Sequence, residues 1–198
     1  DKIIYHPYIF DNNQEGVDFS IPATDVDSPF WAVEKKQREH ITTYLANFAD
    51  DDYLMISDVD EIPDLNKIPK TLPQPVCALH MWMFEYSLKY LFGGEAWIGT
   101  VMTTCELFKQ LGPNHLRSKR WNYVKFFHTG WHLSSFGGPE RVALKVNTYA
   151  HSKDAHEIPW TAETFDRLIN SGIHTDGKTM LIVRPSDVPL PASPDVLT

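Results

Sequence analysis

A short apolar run that follows a long helical pattern constrains the fold of this chain more than any other feature. From about Pro29 to Ala49, apolar side chains recur near helical spacing with charged residues between them, which predicts an amphipathic helix. The next apolar run, Tyr53 to Ile56, does not alternate and is typical of a strand buried on both faces. Other strands are predicted at 3–5, 76–88, 97–103 and 123–127, and other helices at 104–111, 139–149 and 161–172. Strands interleaved with helices indicate an α/β fold.

Length and charge exclude several classes of protein. The 198 residues suit one domain, predicted over 1–183, followed by a proline-rich tail over 184–198. A formal net charge of −8 is opposite to the basic excess of a nucleic-acid-binding protein. Cys77 and Cys105 are too few for a disulfide scaffold. No apolar run approaches the roughly 18 residues of a membrane-spanning helix.

Two aspartates directly follow the run that ends at Ile56. In an extended chain, residues i and i+2 face the same side, so Asp58 and Asp60 are expected to point into one space. Two carboxylates held that close repel each other unless one is protonated or a cation lies between them. Mg²⁺ and Mn²⁺ prefer such oxygen ligands and usually bring substrate phosphates. The segment therefore indicates a metal and phosphate site, and Glu61 and Asp64 add further negative charge.

Two other interpretations of this acidic segment remain open. Aspartate is common where strands end, so the segment could be a solvated turn. An apolar strand that ends in Asp-x-Asp also resembles the haloacid dehalogenase phosphatases, in which the first aspartate is the nucleophile and the second the acid. Here Glu61-Ile62-Pro63 follows where that family usually has Gly-Thr, and a strand and a long helix precede the motif.

Two longer motifs lie in order along the chain. The first is Ser57-Asp58-Val59-Asp60-Glu61-Ile62-Pro63, and the second is Gly130-Trp131-His132-Leu133-Ser134-Ser135-Phe136-Gly137-Gly138-Pro139-Glu140. Together they resemble glycosyltransferase family 17, which includes N-acetylglucosaminyltransferases of N-glycan synthesis. Looser similarities to the family lie at Lys36-Gln37-Arg38 and Tyr149-Ala150-His151-Ser152. The matches span about 30–154.

The resemblance implies a GT-A-like fold, with a mixed, mostly parallel sheet flanked by helices. It also implies that the first strand and helix of that fold precede Asp1. The implied reaction is an inverting transfer of a sugar, N-acetylglucosamine, from a UDP-sugar to a glycan hydroxyl, with Mn²⁺ or Mg²⁺ as cofactor. A nucleotide-sugar donor and a glycan acceptor are then the partners. The compartment would be the cytoplasm for a bacterial or viral member and the Golgi lumen for a eukaryotic one. A sugar-binding domain that has lost turnover is the non-catalytic alternative.

The resemblance also assigns residues to the metal and the donor. Asp58, Asp60 and His132 are the expected metal ligands, and Asp58 could instead reach the ribose. Without the resemblance, His132 is better interpreted as a hydrogen-bonded core histidine. For the donor, the expected residues are Asp58, Arg38, Trp131, Gly137 and Gly138. Trp131 would stack on a sugar ring, and the two glycines would permit a close backbone approach.

Two further groups of candidates come from charge alone. An inverting transfer needs a carboxylate near the acceptor hydroxyl, and the candidates are Asp154, Glu140, Glu61 and Glu106. Asp154 and Glu140 rank highest because they flank the late motifs. Besides Arg38, candidates for contacts to a diphosphate are Arg117, Lys119, Arg120 and Lys145.

Overall fold

The computed structural model describes residues 7–9, 29–92, 97–148, 160–174, 177 and 180–182. The α-helices of this part are α1 (Pro29–Glu39), α2 (Cys105–Leu111), α3 (Pro113–Ser118), α4 (Pro139–Thr148) and α5 (Ala162–Ser171). The strands are β1 (Tyr53–Ile56), β2 (Glu61–Pro63), β3 (Val76–Glu85), β4 (Tyr90–Leu91), β5 (Trp97–Thr104), β6 (Val124–Ser134) and β7 (Leu181–Ile182). Short 3₁₀ helices span His40–Asn47, Leu65–Lys67 and Arg120–Asn122. The predicted strand at 3–5 and the tail at 184–198 lie outside the described residues.

The sheet is mixed, as expected, but it is not mostly parallel. Its strands run in the order β1-β5-β3-β4-β7, with β6 paired to β3 and β2 paired to β6. Among the described strands only the β3–β6 pairing is parallel, and the others are antiparallel. Parallel neighbours need a long crossover, and the segment between β3 and β6, which includes α2 and α3, provides it. The antiparallel pairs β1–β5, β2–β6 and β4–β7 join strands that are distant in sequence.

Strand β1 forms as predicted but is not buried on both faces. It ends the strand order and pairs with β5 alone in the described structure, so Tyr53 is exposed and only Ile56 is fully buried. The lack of alternation in the sequence was therefore misleading. Ile56 packs in a core with Leu45, Val101 and Phe108.

The long N-terminal helix changes type halfway along its predicted length. It is α-helical to Glu39 and continues as a 3₁₀ helix from His40 to Asn47. The hydroxyl of Thr42 donates to the carbonyl of Glu39 at 2.8 Å, and that of Thr43 donates to the carbonyl of His40 at 2.8 Å. Consecutive β-branched residues whose hydroxyls compete for backbone carbonyls weaken the regular α-helix.

The predicted ends of the other helices are largely confirmed. The Thr104 hydroxyl caps α2, and Gly112, with a φ of 76°, ends it. Pro113 then begins α3, which the sequence analysis did not predict. The Thr161 hydroxyl caps α5, which ends at Gly172 in the left-handed conformation.

Strand β6 extends well beyond its predicted end at Phe127. His80 pairs with Phe127 and Trp82 pairs with Trp131, so the residues between them, 128–130, bulge opposite a single residue of β3. The bulge contains His128 with a φ of 56°. A Cβ on Gly130 would lie only 2.5 Å from the carbonyl oxygen of Ile62 in β2, so the close approach of the two strands requires glycine there. The residues that follow the predicted end, up to Ser134, are therefore part of a bulged strand.

Within the described residues, both cysteines are free and buried. None of the helices described is both long enough and apolar enough to span a membrane.

Candidate active site

A large cleft lies above the sheet. Its walls come from α1, the turn after β1, α3, the C-terminal part of β6 and α4, and its volume is about 1540 Å³. Small-molecule sites usually measure roughly 300–1,000 Å³, so the cleft has room for a ligand of extended shape. Asp58, Asp60 and His132 all line it.

The two aspartates of the first motif sit on a turn rather than on extended chain. The Glu61 N–H donates to the Asp58 carbonyl at 3.0 Å, which closes the turn between β1 and β2. The alternation expected of an extended segment therefore does not apply. Both carboxylates reach the cleft, but each meets a different partner: Arg117 holds Asp58, and His132 and Lys145 hold Asp60.

Glu61 occupies the centre of a buried network. Its side chain has 0% exposed surface. Oε1 accepts from Trp97 Nε1 at 2.7 Å and from Arg117 Nη2 at 3.1 Å. Oε2 accepts from Arg117 Nη1 at 3.2 Å and from Thr100 Oγ1 at 3.3 Å. Both oxygens of Glu61 are thus engaged, and the fork of Arg117 is fixed on it as a bidentate pair.

This network also fixes Asp58. The Arg117 Nη2 group donates to Asp58 Oδ2 as well as to Glu61, and the Asp58 N–H donates to Glu61 Oε2 at 3.1 Å. Arg117 is buried in α3, where its Nη1 also donates to the carbonyl of Gly99 at 2.8 Å. The guanidinium that sequence analysis placed on a diphosphate is therefore committed to protein carboxylates.

Replacement of Gly99 by alanine is expected to destabilise the fold. A Cβ at this position would lie 2.8 Å from Glu61 Cδ and 2.9 Å from Glu61 Oε1, and the network leaves that carboxylate no room to move. Overpacking of this kind usually costs about 1–3 kcal/mol. Urea denaturation of both proteins measures the loss, and an unchanged free energy of unfolding would show that the Glu61 network is not rigid.

Asp60 forms the second half of the site. Its Oδ1 lies 3.5 Å from His132 Nε2, its Oδ2 accepts from Lys145 Nζ at 3.2 Å, and 25% of its side chain is exposed. The His132 ring stacks on Trp97, with centroids 4.3 Å apart and planes at 21°. Burial alone would raise the pKa of Asp60, but the hydrogen bonds and charges of His132 and Lys145 outweigh it, and the pKa falls from 3.8 to about 2. Asp60 is therefore ionised at neutral pH.

Backbone pairing places Asp60 beside His132. Glu61 lies opposite His132 in the antiparallel β2–β6 ladder, and the Leu133 N–H donates to the Asp60 carbonyl at 2.8 Å. The two motifs of the sequence analysis are thus joined by main-chain hydrogen bonds. Their meeting does not depend on side-chain contacts alone.

Acid is expected to remove the contribution of Asp60 to stability. Because its pKa in the folded protein is about 2 and lies below the ordinary value of 3.8, the ionised carboxylate stabilises the fold at neutral pH. That contribution, about 2 kcal/mol, is lost as the pH falls from about 4 to about 2. Urea denaturation of metal-free wild type and Asp60→Asn checks this, because the two should differ at pH 6 and converge near pH 2. A difference independent of pH would contradict the assigned cause.

The Asp60–His132 pair fits part of a divalent-cation site. A carboxylate oxygen and an imidazole are both suitable ligands for Mn²⁺, and His132 Nδ1 is buried with no hydrogen-bond partner among the described residues. No cluster of three or more Asp, Glu, His or Cys side chains placed to hold a metal occurs in the described part of the chain. Asp58 and Glu61 are held by Arg117 instead. Any further ligands would have to come from substrate or water.

Of the residues predicted to bind the donor, Arg38 lines the cleft and Trp131 does not. Arg38 lines the cleft from α1 and donates to Asn114 Oδ1 at 3.0 Å. Trp131 is buried among Phe84 and Leu133, on the opposite face of β6 from His132. Trp31 and Trp97 are the tryptophans of the described residues that line the cleft.

Neither the glycine pair nor Glu140 and Glu106 line the cleft. Gly137 and Gly138 precede α4 with φ of 111° and 86° and do not line the cleft. Glu140 is exposed in the first turn of α4, and Glu106 lies in α2. Asp154 lies outside the described residues.

The remaining basic candidates differ in their distance from the cleft. Arg120 lines it, with its guanidinium 5.4 Å from the Trp97 ring, and Lys145 lines it beside Asp60. Lys119 follows α3 and does not line the cleft.

Glu85 and Trp97 are among the cleft residues that the sequence did not single out. Glu85 ends β3, a strand that is otherwise almost entirely apolar, and it is buried. A carboxylate at the end of such a strand was the signal that could have identified it, since burying an unpaired charge is costly.

The fold and the cleft define an α/β protein whose binding site is lined by acidic, basic and histidine side chains. Residues 10–174 match the model of glycosyltransferase family 17, and the chain belongs to this family. No curated protein and no solved structure gives a significant match. The resemblance drawn from the two motifs is confirmed, and the phosphatase alternative has no support from the family. Its proposed nucleophile, Asp58, is ion-paired with Arg117.

Proposed function

We propose that this domain transfers a sugar, N-acetylglucosamine, from a UDP-sugar to a glycan hydroxyl with inversion, and that it requires Mn²⁺ or Mg²⁺. Membership of a glycosyltransferase family supports the transfer itself. The observation that carries the finer proposal is the Asp60–His132 pair, which lies in a cleft with room for a nucleotide sugar.

Asp60 and His132 would hold the cation. The metal would neutralise the diphosphate that leaves with the nucleotide, and phosphate oxygens and water would complete its ligands. Lys145 Nζ holds the second oxygen of Asp60 and so orients the carboxylate. A pair already fixed by the backbone needs little rearrangement when the cation arrives.

The remaining cleft residues would act on the nucleotide and the sugar. Arg117 holds Asp58 at the cleft, where its partly exposed carboxylate can accept hydrogen bonds from a ribose. Arg38 and Arg120 supply positive charge on the same cleft as Asp60 and favour a bound diphosphate. Glu61 holds Arg117 with both oxygens, so we assign it a positioning role rather than proton transfer.

Titration calorimetry with UDP and UDP-GlcNAc tests the proposal. The titrations are run with Mn²⁺ and again with EDTA. Both ligands are expected to bind in Mn²⁺ and to lose most of their affinity in EDTA. Absence of nucleotide binding with metal present would overturn the proposal. Binding without release of UDP from UDP-GlcNAc, in the presence of candidate glycan acceptors, would instead indicate a sugar-binding domain that has lost turnover.

A further inference from the structure

A buried carboxylate without an assigned role lies in the cleft. Glu85 is the last residue of β3, is 2% exposed as a whole residue and lines the cleft. Its Oε2 has no hydrogen-bond partner among the described residues. The His174 Nε2 lies 4.0 Å from Oε2, beyond hydrogen-bonding distance. A buried carboxylate oxygen without a hydrogen bond is costly and is seldom kept without a function.

The strand register places Glu85 on the same face of the sheet as His132. In the parallel β3–β6 ladder, Met83 pairs with His132 and Glu85 pairs with Ser134. Paired residues on neighbouring strands point to the same face, and so do residues i and i+2 of one strand. Glu85 therefore lies on the strand next to His132, two residues beyond the residue that pairs with it. With a rise of about 3.3 Å per residue and strands about 4.8 Å apart, their Cα atoms are separated by roughly 8 Å.

We propose that Glu85 is the general base that activates the acceptor hydroxyl, an inference that rests on the proposed function. The acceptor oxygen forms a bond to the anomeric carbon of the donor as the bond from that carbon to the diphosphate oxygen breaks. UDP leaves with the electron pair of the broken bond. The hydroxyl proton passes to the Glu85 carboxylate, which releases it to solvent after the products leave.

The position of Glu85 suits this role better than those of Glu61, Asp60 and Glu140. Glu61 has both oxygens engaged by Arg117 and other donors, and Asp60 is held by His132 and Lys145. Glu140 is exposed at the start of α4 and does not line the cleft. Glu85 combines a place in the cleft with an oxygen that has no hydrogen-bond partner among the described residues, and its Cα lies roughly 8 Å from that of His132.

The first test compares wild type with Glu85→Gln, which keeps the size of the side chain. UDP-GlcNAc is the donor and 4-nitrophenyl β-mannoside the acceptor, both with Mn²⁺; the mannoside is chosen because family 17 includes a β-1,4-mannosyl-glycoprotein N-acetylglucosaminyltransferase. Loss of a general base usually costs about 10²–10⁴-fold, so kcat is expected to fall at least about a hundredfold while the Kd for UDP stays within about threefold. Glu163→Gln, a change of an exposed carboxylate on α5, serves as the matched control and is expected to leave kcat unchanged.

A second test uses azide to distinguish the loss of a general base from structural damage to the site. Azide is an anion that attacks the anomeric carbon directly and has no proton to lose, so it does not need a base. Glu85→Ala is therefore expected to form glycosyl azide from UDP-GlcNAc at a rate at least tenfold above its transfer to the mannoside. Wild type should favour the mannoside. A structural role for Glu85 would lower both reactions together.

The outcomes distinguish this inference from the proposed function. If wild type transfers sugar and Glu85→Gln keeps a third or more of its kcat, the assignment of Glu85 is overturned and the proposed function stands. If Glu85→Gln loses UDP binding together with transfer, and Glu85→Ala gains nothing from azide, Glu85 is structural. If wild type binds no UDP and transfers no sugar, the proposed function fails and the assignment fails with it.

Discussion

Replacement of Asp60 by alanine is expected to lower sugar transfer roughly a thousandfold and to abolish the Mn²⁺ dependence of UDP binding. Among the described residues Asp60 is the carboxylate that pairs with His132, and its low pKa keeps it ionised at neutral pH. The substitution would leave the imidazole as a single protein ligand, too few for a site that also needs substrate oxygens. Calorimetric titration with UDP and a steady-state assay of transfer measure the two effects.

Two variants control for the loss of a charge and for changes in folding. Asp50→Ala removes a carboxylate that is paired with Lys109 and 72% exposed, and it should leave transfer and UDP binding unchanged. Asp60→Asn keeps the size of the side chain and should lose metal-dependent UDP binding almost as fully as Asp60→Ala. Retention of Mn²⁺-dependent binding in both Asp60 variants would refute the assignment of the cation to this pair.

Replacement of Arg117 by methionine is expected to lower the free energy of unfolding by about 3–5 kcal/mol. The change keeps most of the apolar stem but removes the guanidinium that satisfies Glu61 and Asp58. Glu61 has no exposed surface, so its carboxylate would remain charged and unpaired in the core or would have to take up a proton. Urea denaturation at pH 7 measures the loss.

The matched control for this prediction is Arg167→Met. Arg167 is exposed on α5, and its substitution should change the free energy of unfolding by less than about 0.5 kcal/mol. Combining Arg117→Met with Glu61→Leu should recover part of the stability, because the second change removes the unpaired charge. If Arg117→Met proved as stable as Arg167→Met, the buried network would contribute nothing to folding.

Local sequence signals identified most elements of the fold but not their pairing. Capping residues such as Thr104 and Thr161 act within one turn, and the helix starts they predict are confirmed. Strand direction depends on which segments meet across the sheet, so the expectation of a mostly parallel sheet was wrong. The bulge at 128–130 was missed because its stability comes from β2 and β3, which are distant in sequence.

The site was predicted in outline because its two motifs are contiguous in sequence. Asp60 and His132 were expected to share a site, and the structure brings them within 3.5 Å of each other. The sequence could not show that Arg117 would engage Asp58 and Glu61, because that contact joins segments 56 or more residues apart. Glu85 was missed because a lone carboxylate in an apolar strand gives no motif, and only the β3–β6 register places it in the cleft.

The β2–β6 ladder fixes the Asp60–His132 pair, whereas the side chains of the helices that line the cleft are free to diverge in sequence. Three residues of β2 and the Leu133–Asp60 hydrogen bond set the spacing of Asp60 and His132 by main chain alone. Sequence drift in α1 or α4, which form walls of the cleft, can therefore reshape the space offered to an acceptor without moving the pair, provided that Arg38 and Lys145 are kept. New acceptor preferences could arise on such a scaffold by exchange of helix side chains, while the centre that binds the donor is inherited unchanged.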